Sequence, residues 1–228
     1  MCGRYTLTQP LPFVEHHYRL EGVPPEIIEQ YRPRYNVAPG QAVLAALDRN
    51  GRTTLAWLRW GLIPFWAKEA SIGNRLINAR SETAAQKPAF RRPFRQRRCL
   101  LPADGFYEWR TEGRRKTPFR IRLRSGELFS LAGLWDVWQP PDGGEPLHTC
   151  TILTTAANEV VRPIHDRMPV IIPPDGYRLW LDPRSEPDAL AELLKPYPAE
   201  PMEAYPVSTA VNSPRNDDPR LIEPVPVP

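Results

Sequence analysis

The chain has 228 residues, enough for one large domain to bury a core without disulfides or metal. Its 41% hydrophobic and 25% charged residues exclude a disordered chain, and its 29 prolines exclude a helical bundle in favour of short strands with irregular connections. The formal charge of +4 is unevenly placed: residues 75–124 hold fifteen Lys and Arg against four Asp and Glu, and residues 182–228 hold four against nine, a segregation that suits a polyanion on one side.

In chain order, "PLPFVEHHYR" predicts a short helix within 10–20, followed by the loop "RPRYNVAPGQ". "AVLAALDRNGRTTLAWLRWGLIP" reads as a hairpin turning at "DRNG". "NARSETAAQKPAF" reads as helix from Ser81, with Ser81 as its N-cap. "RRCLLPADGFYEWR" is a buried strand, a turn and a second strand. "TPFRIRLRSGELFSLAGLWDVWQ" reads as a hairpin turning at "SGE", with Phe119, Ile121 and Leu123 on one face and Arg120, Arg122 and Arg124 on the other. "LHTCTILTTAAN" is a strand, and "NEVVRPIHDRMPVII" carries a short helix into a loop and a strand. "DGYRLWLDP" and "DALAELLKP" are short helices, and the proline-rich stretch from Pro196 has strand character at "EAYPVST". The whole reads as a single α+β domain built on antiparallel sheet, spanning residues 1–212, with a loose proline-rich tail over 213–228. The N-terminus lacks a positive region followed by an apolar run, and no stretch approaches ~18 apolar residues, so the expectation is a cytoplasmic protein. Three cysteines without a C-x-x-C pair, and four histidines without ligand spacing, predict neither a disulfide framework nor a metal.

Cys2 follows the initiator methionine directly. Removal of Met1 would leave an amine and a thiol on one residue, with ordinary pKa values of about 7.7–8.0 and about 8.5. Such an aminothiol can condense with an aldehyde to a Schiff base and then close a thiazolidine ring. The alternative is an incidental cysteine in a fraying terminus. Glu108 stands among aromatics in "DGFYEW", where strand alternation puts it on the face of Phe106 and away from Tyr107 and Trp109. Burial there would raise its pKa into the range useful for proton transfer; an exposed strand glutamate is the alternative. His165 lies in "RPIHDRMP" between Pro163 and Pro169, which fix the loop, and it is either a general acid/base or a structural residue. Asn78, in "INARSE", can donate and accept, or simply cap a turn. Arg4, Arg80 and the run "RRPFRQRR" over 91–98 supply guanidinium forks for phosphate, and Trp66 and Phe94 offer stacking faces, the combination that single-stranded nucleic acid requires; a core tryptophan is the alternative for Trp66.

Together "MCGRY", "RYNVAPG", "WGLIPFWA", "NARSET", "CLLPADGFYEW" and "IHDRMPVI", in order from residue 2 to about 212, resemble the SOS-response-associated peptidase (SRAP) family. The resemblance implies antiparallel strands in an irregular pseudo-barrel with peripheral helices, and a cofactor-free, monomeric protein whose partner is single-stranded DNA containing an abasic site. It implies Cys2 as the nucleophile that captures the ring-opened sugar as a thiazolidine. Asn78 is expected beside the Cys2 amine and the sugar, Glu108 as proton shuttle, and His165 at the sugar hydroxyl. Arg4 and Arg80 are expected on phosphates, with Asn36, Pro39 and Trp66 lining the DNA channel. A cysteine peptidase using Cys2, as the family's name records, and a non-catalytic nucleic-acid-binding module are the competing expectations.

Overall fold

The structure is a computed structural model and describes residues 2–226. In chain order it comprises β1 (Tyr5–Leu7), α1 (Leu11–Tyr18), α2 (Pro25–Gln30), β2 (Arg34–Val37), β3 (Ala42–Arg49), β4 (Arg52–Trp60), β5 (Asn78–Arg80), α3 (Ser81–Ala84), α4 (Arg91–Gln96), β6 (Arg98–Ala103), β7 (Gly105–Glu112), β8 (Arg115–Leu123), β9 (Phe129–Trp138), β10 (Leu147–Ala156), β11 (Arg167–Pro169), β12 (Ile171–Ile172), α5 (Tyr177–Leu181) and β13 (Met202–Pro206). Prolines in the first turns of α1 and α2 fit their fixed φ to a helix start, and the helices stay short between proline-rich connections.

The β3–β4 hairpin forms as expected. Asn50 and Gly51 take φ of 57° and 81°, the left-handed pair that a two-residue turn matched to strand twist demands, and the register Arg49↔Arg52 follows. This hairpin belongs to a sheet that closes on itself: β10 pairs with β4, β4 with β3, β3 with β6, β6 with β9, and β9 again with β10. Only the β4–β10 contact in this ring is parallel. Short strands β5 and β11 extend it beside β10, and β12 beside β9. A second, antiparallel sheet, ordered β13-β8-β7-β1-β2, packs against it. The α+β, strand-dominated class stands, and the main apolar cluster runs from β1 and β7 of one sheet into β3, β6, β9 and β10 of the other.

Several local expectations are corrected. The stretch 117–139 is no hairpin: β8 pairs with β7 and β13, whereas β9 pairs with β6, β10 and β12. Alternation fixes which face of a strand is buried but not which strand lies beside it. Phe119, Ile121 and Leu123 are buried as expected; Arg120, on the opposite face, is buried too. Its guanidinium lies 3.1 Å from Asp104, whose carboxylate also accepts from Thr6 Oγ1 at 2.5 Å and Thr8 Oγ1 at 2.7 Å. Ser81 is not an N-cap: Arg80 holds that position without a side-chain cap, and the helix ends after four residues. The expected helix in "NEVVRPIH" is a set of turns, organised by Asn158 Oδ1 accepting from the N–H groups of Val160 and Val161. The segment 213–226, expected to be loose, is docked. Asp217 accepts from the N–H groups of Tyr35 and Asn36, Leu221 is buried, and Pro224 bridges to Val207.

Candidate active site

The site lies at the seam of the two sheets. Cys2 immediately precedes β1, which runs antiparallel to β7 with Tyr5 opposite Phe106. The N–H of Tyr107 donates to the Arg4 carbonyl at 3.0 Å, so the N-terminal residues are tied along β7 rather than frayed. That pairing sets Cys2 beside Glu108. Cys2 is fully buried, and burial, then the Glu108 charge, push its thiol well above the ordinary range. Glu108 is 2% exposed, and burial pushes its carboxyl from 4.5 up to about 7, with the Asp166 charge acting in the same direction. As the alternation predicts, Phe106 packs in the main core while Tyr107 and Trp109 join a separate cluster with Val211 and Leu221.

The other sheet contributes Asn78 and His165. Asn78 opens β5, which lies parallel to β10 with Asn78 opposite Ile152. Its Nδ2 donates to the Cys2 carbonyl at 2.8 Å, a hydrogen bond across the seam. Its Oδ1 is buried and accepts no hydrogen bond from any described residue. His165 ends the turn before β11. The N–H of Arg167 donates to His165 Nδ1 at 2.9 Å; Asp166 Oδ1 lies 2.9 Å from the same nitrogen. The backbone N–H calls for a lone pair on Nδ1 and the carboxylate for a proton there, so the two neighbours compete for this nitrogen. Burial is the first cause that lowers the His165 pKa, which keeps the ring neutral at pH 7. The structure thus gathers a buried thiol, a carboxyl poised near neutrality, an amide and a neutral imidazole.

The expected DNA contacts divide. Arg80 is exposed at the end of β5, and Pro39 is half-buried in the turn after β2. Trp66, 49% exposed, stands beside Phe65, 51% exposed, on a turn anchored by the Phe65 N–H to buried Asp136 at 3.3 Å. The Arg92 guanidinium lies 4.4 Å over the Phe65 ring, a cation–π contact on the exposed side. Arg4 is half-buried and donates to Asn36 Oδ1 at 2.9 Å, Val211 O at 2.6 Å and Asn212 O at 3.0 Å. Asn36 is corrected from a channel lining to an internal brace: it is fully buried, and its Nδ2 donates to the carbonyls of Val211, Ser213 and Asn216. Phe94 is buried edge-on against Trp180, so it offers no stacking face. Within 91–98, Arg98 is buried on the carbonyls of Trp180, Phe94, Arg95 and Asp182, and Arg97 pairs with Asp136; Arg91 and Arg95 remain exposed.

Residue-by-residue reading missed Glu82, although it stands inside a stretch singled out for its neighbours; Arg167, expected to orient His165 or to pair with Asp166, pairs with Glu82 instead. That reading also missed the segment around Val211–Asp217, which holds Arg4, Arg34 and Asn36. A cleft of about 1340 Å³ between His17, Asp48, Tyr177 and Arg184 shares no residue with the site.

A family model described as SOS response associated peptidase (SRAP) matches residues 1–214. Abasic site processing protein YoqW of Bacillus subtilis is 48% identical over 225 residues, covering 98% of this chain and 99% of its own. Abasic site processing protein YedK of Escherichia coli is 33% identical over 231 residues, covering 99% and 100%. Abasic site processing protein HMCES of Gallus gallus is 37% identical over 228 residues, covering 86% of this chain and 67% of its own. A crystal structure of a protein from Bacteroides thetaiotaomicron superposes with a TM-score of 0.89 at 30% identity, covering 98% and 100%. With all but its last residues matched and relatives similar over their full length, the chain belongs to the SOS response associated peptidase family.

Proposed function

We propose that this protein captures abasic sites in single-stranded DNA by forming a covalent thiazolidine between Cys2 and the ring-opened sugar. The observation that carries the reading is the hydrogen bond from Asn78 Nδ2 to the Cys2 carbonyl, which fixes the second residue of the chain beside Glu108 at the seam of the sheets. Met1 lies outside the described residues, and its removal by an aminopeptidase belongs to the proposal. The freed amine attacks the aldehyde carbon and gives a carbinolamine. Glu108, with a pKa of about 7, takes a proton from the nitrogen and returns one to the departing hydroxyl, which leaves as water. The thiol sulfur then adds to the imine carbon while its proton passes to nitrogen, closing the ring. The sum is protein plus sugar minus one water. His165, with its pKa lowered first by burial, assists at the sugar hydroxyl as the furanose opens. Arg80 and the exposed Phe65–Trp66 turn hold the strand beside the lesion.

The peptidase reading is less well supported. A cysteine peptidase works through a thiolate, whereas burial and the Glu108 charge hold the Cys2 thiol protonated. The deciding experiment incubates the protein with a single-stranded oligonucleotide carrying one abasic site and reads the intact mass. The expected species is protein without Met1 plus oligonucleotide minus one water, absent in Cys2→Ala and with undamaged DNA. Absence of that species from protein whose mass shows Met1 gone would refute the proposal. Blocking the amine while sparing the thiol should abolish capture but would leave thiol proteolysis intact.

A further inference from the structure

The last residues of β10, from Ile152 to Ala156, are flanked by two arms of the site. On one side β5 carries Asn78 and Arg80 and leads into α3; on the other β11 begins at Arg167, two residues after His165. Arg167 ties these arms together. Its Nη1 donates to Glu82 Oε1 at 2.6 Å and its Nη2 to Glu82 Oε2 at 2.9 Å, a bidentate pair with a residue of α3. The same Nη2 donates to the Thr154 carbonyl at 2.6 Å, so the guanidinium crosses over β10 itself. Its backbone N–H holds His165 Nδ1 at 2.9 Å. The Arg167 side chain is 14% exposed although its partner Glu82 is 50% exposed, so the fork is set in place from the β10 side. Glu82 in turn lies four residues after Asn78, separated from it only by the rest of β5 and the start of α3.

We propose that Glu82 and Arg167 form a clamp that sets the imidazole of His165 relative to Asn78, making them positioning residues for the capture reaction. This inference rests on the function proposed above. Neither residue needs to touch the sugar. Arg167 acts through the backbone donor that holds the Nδ1 edge of the ring, and Glu82 acts by holding the Arg167 side chain, and hence the start of β11, against the arm that bears Asn78. Glu82 is half-exposed and Arg167 keeps its bond to the Thr154 carbonyl without it, so loss of the pair should leave the fold standing. Misplacing one catalytic group by a fraction of an ångström, by contrast, is costly to a reaction that depends on alignment.

The test compares wild type, Glu82→Ala and the conservative Glu82→Gln, which keeps an acceptor for one guanidinium N–H. The first readout is the rate of crosslink formation at saturating abasic oligonucleotide. The second is affinity for an oligonucleotide with a tetrahydrofuran residue, which has no aldehyde. The third is the set of His165 ring nitrogen chemical shifts, which needs no DNA. Expected are a loss of about tenfold in rate for Glu82→Ala, partial recovery in Glu82→Gln, unchanged affinity for the tetrahydrofuran oligonucleotide, and displaced His165 ring nitrogen shifts in Glu82→Ala alone. The clamp is overturned if Glu82→Ala keeps the wild-type rate and ring shifts, or if its rate falls only in step with affinity. If wild type forms no crosslink, the proposed function fails, and the ring shifts still decide the clamp: wild-type shifts in Glu82→Ala overturn it.

Discussion

Replacing Glu108 with glutamine isolates the energetic cost of keeping a carboxylate in the seam. Glu108 is 2% exposed, and burial raises its pKa from 4.5 to about 7. A shift of that size corresponds to about 3 kcal/mol between protonation states. The folded protein therefore holds the proton that the unfolded chain releases between pH 4.5 and pH 7. The neutral acid's favourable contribution is complete below pH 4.5 and is lost as pH rises through about 7. Glutamine has nearly the same shape and does not titrate. Stability of Glu108→Gln relative to wild type should thus rise by about 3 kcal/mol from pH 4 to pH 8, or about 6–12 °C in relative Tm for a chain of this size. The assay is thermal unfolding of both proteins, with the same processed N-terminus, across that range. Parallel pH profiles for the two proteins would refute the placement of Glu108 as a buried, perturbed carboxyl. The same variant can neither take nor give the proton of the proposed Schiff-base step, so its crosslinking rate should fall about 10²-fold or more.

Asp104→Ala should destabilise the fold by about 3–5 kcal/mol, because it strands the buried Arg120 guanidinium and leaves Thr6 and Thr8 without their acceptor. Urea unfolding at unchanged slope reads that cost, and a loss below 1 kcal/mol would contradict the network. On the proposed reading, Trp66→Ala should weaken binding to a single-stranded oligonucleotide by about 1–3 kcal/mol, the worth of one base stacked on an aromatic ring. Because Trp66 is half-exposed, Tm should be unchanged. Fluorescence anisotropy measures the affinity, and equal binding by the two proteins would remove Trp66 from the interface.

Part of the candidate site was legible in the sequence. Alternation alone placed Glu108 on the buried face with Phe106, because side chains in a strand point to opposite sides every second residue. Asn50-Gly51 specified its hairpin because few other residue pairs accept two positive φ angles in succession. The motif residues Cys2, Asn78, Glu108 and His165 were singled out by residue type and position, and the tertiary structure brings all four to the seam of two sheets.

What the sequence by itself determined, then, were properties carried by short-range sterics and by residue identity: strand faces, turn type, and a cysteine at the second position. What only the tertiary structure decided were properties supplied by distant partners. Those partners sent β8 and β9 to different sheets, buried Asn36, Arg98 and Phe94 where exposed contacts were expected, and docked the acidic 213–226 segment onto Arg34 and the backbone beside it. The pKa of Glu108 belongs to the same class, since it depends on the protein packed around the carboxyl rather than on its neighbours in sequence. So does the Glu82–Arg167 pair, whose members stand 85 positions apart and meet only because β10 lies between β11 and the arm of β5 and α3. Strand pairing and the polarity of an enclosed site are collective outcomes of the whole chain, and a local pattern constrains them without fixing them.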